Sequence, residues 1–107
     1  MLGLKKILAF LFYSMVRLPK GDYLSESTSA NGRYTIKTYL CNGGATVDYA
    51  VRGELITNTE NNKVKNIYWD YNISKSDIIW EEDDIAIINR HKINLPSGKY
   101  DWRKNKN

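Results

Sequence analysis

The sequence predicts a mainly β protein, an antiparallel meander that forms a small sandwich or barrel, with a short N-terminal helix. Apolar and polar side chains alternate along most of the chain after Gly21, as they do in strands with one buried face. No stretch after Gly21 keeps the helical period. Turn-forming Asn, Gly, Asp and Pro residues separate the alternating runs at short intervals, which is typical of strands joined by hairpins.

Composition divides the 107 residues into three segments. We predict a basic-apolar segment that resembles a signal or anchor over residues 1–18, a single β domain over 19–102 and a polar tail over 103–107. The first boundary lies at Pro19 and Gly21, because proline removes a backbone donor and glycine interrupts regular structure.

The positive charge is concentrated at the N-terminus. Four of the 16 basic residues lie in residues 1–20, which contain no acid, so the rest of the chain carries 12 basic and 12 acidic residues. Nucleic-acid binding requires a basic face on the folded domain, and a neutral domain lacks one. We therefore expect no nucleic-acid partner.

The N-terminal segment has the basic-then-apolar order of an export signal. Lys5 and Lys6 precede an apolar run over residues 7–16, and Arg17 follows it. As a helix this run would be about 15 Å long, roughly half the thickness of a bilayer core. An uncleaved signal or short anchor, a helix lying in the membrane interface, and a helix capping the domain core all fit. We expect a membrane or extracytoplasmic location through residues 1–18, with a cytoplasmic location as the alternative.

The predicted strands cover residues 23–27, 33–41, 46–56, 63–71, 77–80, 85–88 and 91–95. In the second strand, the even-numbered residues from Tyr34 to Leu40 share one face. In the fourth strand, the alternation places Ile67, Trp69 and Tyr71 on one face and Asn66, Tyr68 and Asp70 on the other. Residues 96–98 are predicted to close the domain.

Five segments carry a family resemblance: LPKG at residues 18–21, SANGRY at 29–34, CNGGAT at 41–46, DYAVRGE at 48–54 and NIYW at 66–69. They resemble the domain-of-unknown-function family 5412, an uncharacterised family of Bacillus-like Gram-positive bacteria, over roughly residues 18–102. The resemblance implies an N-terminal membrane segment followed by an exported domain. It implies no activity, cofactor or catalytic residue.

The stretch from residue 42 to 54 holds the candidate ligand-binding residues Asn42, Gly43, Gly44, Asp48, Arg52 and Glu54. Backbone amides near the glycine pair and the Arg52 guanidinium could hold an anion or a peptide carboxylate. Alternatively, the glycines form a hairpin turn and the charged residues pair across a sheet face. The glycine spacing matches neither a phosphate loop nor a dinucleotide fingerprint, so we predict no cofactor.

The patterns around the other reactive or charged residues indicate structural roles. Cys41 is the single cysteine and is predicted to be a buried thiol. The acidic run over residues 81–84 lacks calcium-loop spacing and predicts a solvated hairpin tip. His91 has no metal ligand at the following third or fourth position, so we predict an ordinary strand histidine. We assign no catalytic or metal-binding residue.

Aromatic side chains offer another surface. Tyr39, Tyr68 and Tyr71 are expected to share a face with Lys37, where they could stack on sugars or peptides or cover the sheet.

Three functional hypotheses follow. The first is a non-catalytic cell-envelope β domain, membrane-associated or exported, that binds a protein, peptide or wall ligand. The second is a small enzyme that uses Asp48, Arg52, Glu54 or His91. The third is a cytoplasmic partner-binding module in which residues 1–18 form a docking helix.

Overall fold

The computed structural model describes residues 15–42 and 48–105. Its elements are β1 (Asp22–Thr28), β2 (Tyr34–Asn42), β3 (Tyr49–Thr57), β4 (Lys63–Tyr71), β5 (Ile78–Glu82), β6 (Ile85–Ile88), β7 (His91–Asn94), β8 (Tyr100–Asp101) and α1 (Trp102–Asn105). The prediction of a mainly β protein is confirmed.

The predicted N-terminal helix falls largely on residues 1–14, which lie outside the described residues. Residues 15–17 form a turn and a bend, and the helix that the structure describes is the short C-terminal α1. Within residues 15–42 and 48–105, no helix has the length and apolar character needed to cross a membrane.

The strands form two sheets. The larger sheet has the order β1-β2-β3-β4-β8, in which β8 runs parallel to β4 and the other neighbours are antiparallel. The smaller sheet is the antiparallel meander β5-β6-β7. In the described part of the chain, β1 and β8 are open edges of the larger sheet, so the barrel alternative is wrong and the protein has two layers.

The hydrophobic core lies between the two sheets. The larger sheet contributes the buried side chains of Tyr34, Ile36, Val51, Leu55, Ile67 and Tyr68, and the smaller sheet and the loop after it contribute those of Ala86, Ile88, Ile93 and Leu95. The predicted face that runs from Tyr34 to Leu40 is confirmed, because Tyr34, Ile36 and Thr38 are buried while Lys37 and Tyr39 are partly exposed. This face of the larger sheet is called the core face, and the opposite side is called the outer face.

A bulge in β4 makes the predicted facing of that strand wrong. Gly53 pairs with Tyr68 but Glu54 pairs with Asn66, so Ile67 is an extra residue without a partner in β3. The bulge turns Ile67 and Tyr68 together into the core, where both are fully buried. Tyr68 therefore does not share the surface predicted for Tyr39 and Lys37. Gly53 makes this possible, since a Cβ at that position would lie 2.9 Å from Tyr68 Cβ.

Of the two predicted turns of the smaller sheet, the one at Asn89 and Arg90 is confirmed, whereas the acidic turn predicted over residues 81–84 is shorter because β5 extends to Glu82. Asn89 and Arg90 join β6 to β7 with φ angles of 46° and 75°, as a two-residue hairpin turn requires. Asp83 and Asp84 join β5 to β6, and Asp83 Oδ1 accepts a hydrogen bond from the Asn31 backbone N–H at 3.1 Å. This acidic tip therefore contacts the turn between β1 and β2.

The chain continues in regular structure after the predicted closure at residues 96–98. Tyr100 and Asp101 pair with Tyr68 and Trp69 of β4, and α1 follows directly. Asp101 receives hydrogen bonds from the backbone and side chain of Arg103 at 2.7–3.0 Å.

Candidate binding site

The outer face of the larger sheet is crossed by residues 15–21, which we call the strap. Asn66 Nδ2 donates to the Met15 carbonyl at 2.6 Å, and Arg52 Nε and Nη2 donate to the Lys20 carbonyl at 3.2 and 2.8 Å. Side chains of β3 and β4 thus hold both ends of the strap through its backbone oxygens. The strap is consequently part of the folded domain.

Arg52 is the centre of this attachment. Its side chain is buried on the outer face, and Nη1 donates to Glu54 Oε2 at 3.0 Å and to Asn66 Oδ1 at 2.8 Å. The guanidinium also lies 4.2 Å from the centroid of the Tyr39 ring. All three guanidinium nitrogens therefore donate within the protein, and the predicted site residue Arg52 is occupied with holding the strap.

Glu54 completes the same network. Its Oε2 pairs with Arg52, and its Oε1 accepts the Tyr39 hydroxyl at 3.0 Å. Burial raises the pKa of the Tyr39 phenol, and the hydrogen bond to Glu54 raises it further. Arg52 and Glu54 form a salt bridge along one strand, β3, whereas Asp48, the third residue of the predicted charged face, has no part in it.

The strap ends in a close approach to β2. Gly21 has a φ of 76°, and a Cβ there would lie 2.8 Å from Cys41 Sγ and 2.9 Å from the Leu40 carbonyl oxygen. Only glycine fits a site that is both left-handed and this tightly packed. The prediction that Gly21 interrupts regular structure thus has a specific cause, which is the docking of the strap against β2.

A groove of about 440 Å³ lies beside the end of the strap. We call it the strap groove, and its lining consists of Pro19, Gly21, Asp22, Leu40, Cys41, Asn42, Asp48, Ala50, Trp69 and Tyr71. Two of the predicted site residues, Asn42 and Asp48, therefore line this groove, whereas Arg52 and Glu54 border a different concavity at the Met15 end. Gly43 and Gly44 lie outside the described residues.

The strap groove combines apolar walls with acidic groups. Asp22 and Asp48 are exposed, and the structure gives neither carboxylate a partner among the residues it describes. Trp69 and Tyr71 form an aromatic wall, and the Tyr71 ring stacks on Trp102 of α1 with centroids 5.0 Å apart. Sequence reasoning missed Asp22 and Trp69, although the predicted alternation already placed Trp69 and Tyr71 on one face.

Cys41 borders the groove as a buried thiol, as predicted. Its Sγ lies 3.8 Å from the Pro19 carbonyl oxygen, to which it donates a weak hydrogen bond. Burial raises the pKa of this thiol, against a smaller lowering effect of Arg52, so the thiol is protonated at neutral pH. A protonated thiol is a poor nucleophile, which favours a packing role for Cys41.

His91 belongs to a second polar cluster, between the sheets. Its ring stacks on Tyr100 with centroids 3.7 Å apart, and its Nε2 lies 3.6 Å from Asp70 Oδ2. The Tyr68 hydroxyl donates to the same Asp70 oxygen at 2.8 Å and accepts from Asn89 Nδ2 at 3.0 Å. Asp70 was not singled out from the sequence, because no local spacing relates it to His91.

Burial raises the pKa of the Tyr68 phenol far above its ordinary value, with a smaller contribution from Asp70 against a lowering one from Asn89. Burial also raises the pKa of Tyr100. Both phenols are therefore neutral hydrogen-bonding groups at physiological pH. Side chains of this cluster join β4, β7 and β8 through hydrogen bonds and ring stacking, so the cluster stabilises the packing of these strands.

The four residues of the enzyme hypothesis lie in three separate parts of the structure. Asp48 lines the strap groove, Arg52 and Glu54 hold the strap, and His91 contacts Asp70 and Tyr100. Among residues 15–42 and 48–105, no group of three or more His, Cys, Asp and Glu side chains is arranged to hold a metal ion.

Fold and groove together define a small two-sheet β protein with a strapped outer face and an acidic, aromatic groove. The model of a family of unknown function, DUF5412, matches residues 1–105, and the chain belongs to this family. The resemblance stated from the sequence is thereby confirmed. No curated protein and no solved structure matches the chain.

Proposed function

We propose that the protein is a non-catalytic binding module of the cell envelope, which captures a peptide or wall-polymer segment bearing an amine or guanidinium cation. The observation that carries this proposal is the strap groove, in which two exposed carboxylates flank an aromatic wall. The ligand class follows from the groove's charge and shape.

The groove chemistry favours a cation. Asp22 and Asp48 offer oxygen acceptors at the groove rim, and the faces of Trp69 and Tyr71 attract positive charge. Concave apolar walls with a few polar groups are the usual form of a ligand site. An alkyl stem with a charged tip, such as a lysine side chain, satisfies both the wall and the rim.

A place at the membrane is the second part of the proposal. Residues 1–18 supply a basic-apolar segment, and the strap, which begins within it at Met15, is held to the domain by Arg52 and Asn66. A domain tethered in this way remains at the bilayer surface.

The ligand is tested with a lysine-containing pentapeptide, capped at both ends, in an NMR titration of the isotope-labelled protein. We expect chemical-shift changes concentrated at Ala50, Trp69 and Tyr71, and none from the matched peptide in which glutamine replaces lysine. Asp48→Asn should weaken binding several-fold, because it removes one carboxylate from the rim. Asp77→Asn is the control, since Asp77 is an exposed carboxylate on the approach to the smaller sheet. Equal binding of both peptides would contradict the proposal.

The location is tested by external protease on intact cells that express the full chain. A version that begins at Met15 is the sharper comparison, because it keeps the strap and its bonds to Arg52 and Asn66. We expect the full chain to be in the membrane fraction and digested from outside, and the shortened chain to be lost from it. Recovery of the full chain solely in the soluble cytoplasm would contradict the envelope assignment.

A further inference from the structure

The Met15 end of the strap differs in character from the groove end. A shallow concavity of about 350 Å³ there is bordered by the strap, by β3 and β4, and by the loop before β8. Val16, Val64 and Lys99 are exposed there and Lys65 is half-buried, and we call these four residues the entry patch. Val16 is 85% exposed and Val64 is 52% exposed, which is unusual for two branched apolar side chains that border one concavity.

The position of the entry patch is fixed by the chain itself. Asn66 Nδ2 donates to the Met15 carbonyl at 2.6 Å, so Met15 is held against the domain at this point. The apolar run over residues 7–16 therefore ends inside the patch, with Val16 as its last residue.

The charge of the patch is positive. Lys65 and Lys99 border it, and exposed Arg17 follows Val16 directly. The carboxylate bordering the same concavity, Glu54, is neutralised by Arg52 at 3.0 Å. Exposed apolar side chains surrounded by lysines match a membrane surface, whose acyl boundary accepts the apolar groups and whose anionic headgroups attract the cations.

We infer that the entry patch is a docking surface for an anionic lipid bilayer, which seats the domain on the membrane in one orientation. This inference rests on the membrane attachment proposed above and adds a defined contact surface to it. Val16 and Val64 enter the headgroup boundary, and Lys65 and Lys99 lie among the lipid phosphates. The strap groove lies at the other end of the strap, on the same face of the larger sheet.

Vesicle binding of the full chain tests the charge requirement. We expect co-flotation with vesicles of phosphatidylglycerol and phosphatidylcholine, and weaker binding to phosphatidylcholine alone. The double variant Lys65→Glu, Lys99→Glu should lower the partition coefficient about tenfold or more, since each lysine near an anionic surface contributes about fivefold. The matched control is Lys75→Glu, Lys92→Glu, which changes the net charge equally but lies on the smaller sheet and the segment before it. An equal loss in both double variants would overturn the inference.

A polarity-sensitive fluorophore tests the contact directly. It is attached at Val64→Cys in a Cys41→Ala background, and at Ile79→Cys, an exposed position of the smaller sheet, as the control. We expect a blue shift on vesicle addition at position 64 only. A fluorophore at position 64 that is shielded from iodide before vesicles are added would mean that the chain covers its own patch, and would overturn the inference.

The two failures are distinguishable. Vesicle binding without a change at position 64 would overturn the entry patch and leave the membrane attachment standing. A full chain that binds no vesicle of either composition would overturn both.

Discussion

The two faces of the larger sheet are covered in different ways. The core face meets the smaller sheet and buries aliphatic and aromatic side chains such as Ile36, Val51 and Leu55. Among the residues that the structure describes, the strap covers part of the outer face, and Arg52 and Asn66 hold that strap by its carbonyl oxygens. One face is stabilised by burial of apolar area and the other by directional hydrogen bonds.

Because the two faces are covered differently, the core face serves stability and the outer face offers surface for binding. Apolar packing is non-directional and close, so the buried side chains of the core face mainly stabilise the fold. A polypeptide strap fastened at two points covers a sheet incompletely, and openings remain beside it. The strap groove and the entry patch are those openings, one with exposed carboxylates and the other with lysines.

The largest expected effect compares neighbouring residues on the two faces of β3. Leu55→Ala on the core face should cost about 3 kcal/mol of unfolding free energy, because Leu55 is 1% exposed and its loss leaves a cavity. Ile56→Ala on the half-buried outer face should cost about 1 kcal/mol. Urea denaturation of both variants measures the two values. Equal costs would mean that the outer face is packed as tightly as the core face, which would contradict the difference between the two faces.

The core face was predictable from the sequence and the outer face largely was not. Strict alternation from Tyr34 to Leu40 identifies a buried face without any tertiary information, because only its period matters. The bulge at Ile67 defeats the same rule, since one extra residue reverses the facing of everything beyond it. β8 is two residues long and pairs in parallel with a distant strand, so it carries no local signal.

The candidate site was predictable only in part, for a related reason. The stretch of predicted residues did contain Asn42 and Asp48 of the strap groove. Arg52, however, donates to a backbone carbonyl of the strap, and any residue at position 20 offers such an oxygen. A side-chain pattern cannot reveal a bond whose acceptor is independent of the side chain.

A smaller effect is expected from weakening the strap. Arg52→Met should cost about 2 kcal/mol, because it removes the bonds to Lys20 and leaves the Glu54 carboxylate without its ion pair. Trypsin cleavage after Lys20 should accelerate more than global unfolding does, since the strap is released first. Lys92→Met is the control, because the exposed Lys92–Glu81 pair contributes about 0.5 kcal/mol or less. Unchanged cleavage after Lys20 would show that Arg52 does not hold the strap.

The smallest expected effect is the loss of unfolding free energy at alkaline pH that the buried Tyr68 phenol causes. Because burial raises the pKa of Tyr68, this phenol is protonated in the folded protein at a pH where it ionises in the unfolded chain. The unfolded state then binds fewer protons, so stability is full below about pH 10 and falls above it, by up to about 1.4 kcal/mol per pH unit. Urea denaturation from pH 8 to 11 measures this slope.

Tyr68→Phe isolates the contribution of that phenol. The variant should be less stable at pH 8, because Asp70 and Asn89 lose a hydrogen-bond partner, yet its alkaline slope should be shallower. Tyr49→Phe is the matched control, since Tyr49 is 45% exposed at the start of β3 and lies outside the core. Equal slopes for Tyr68→Phe and Tyr49→Phe would mean that the Tyr68 phenol is as open to water as an exposed phenol, against its burial in the core.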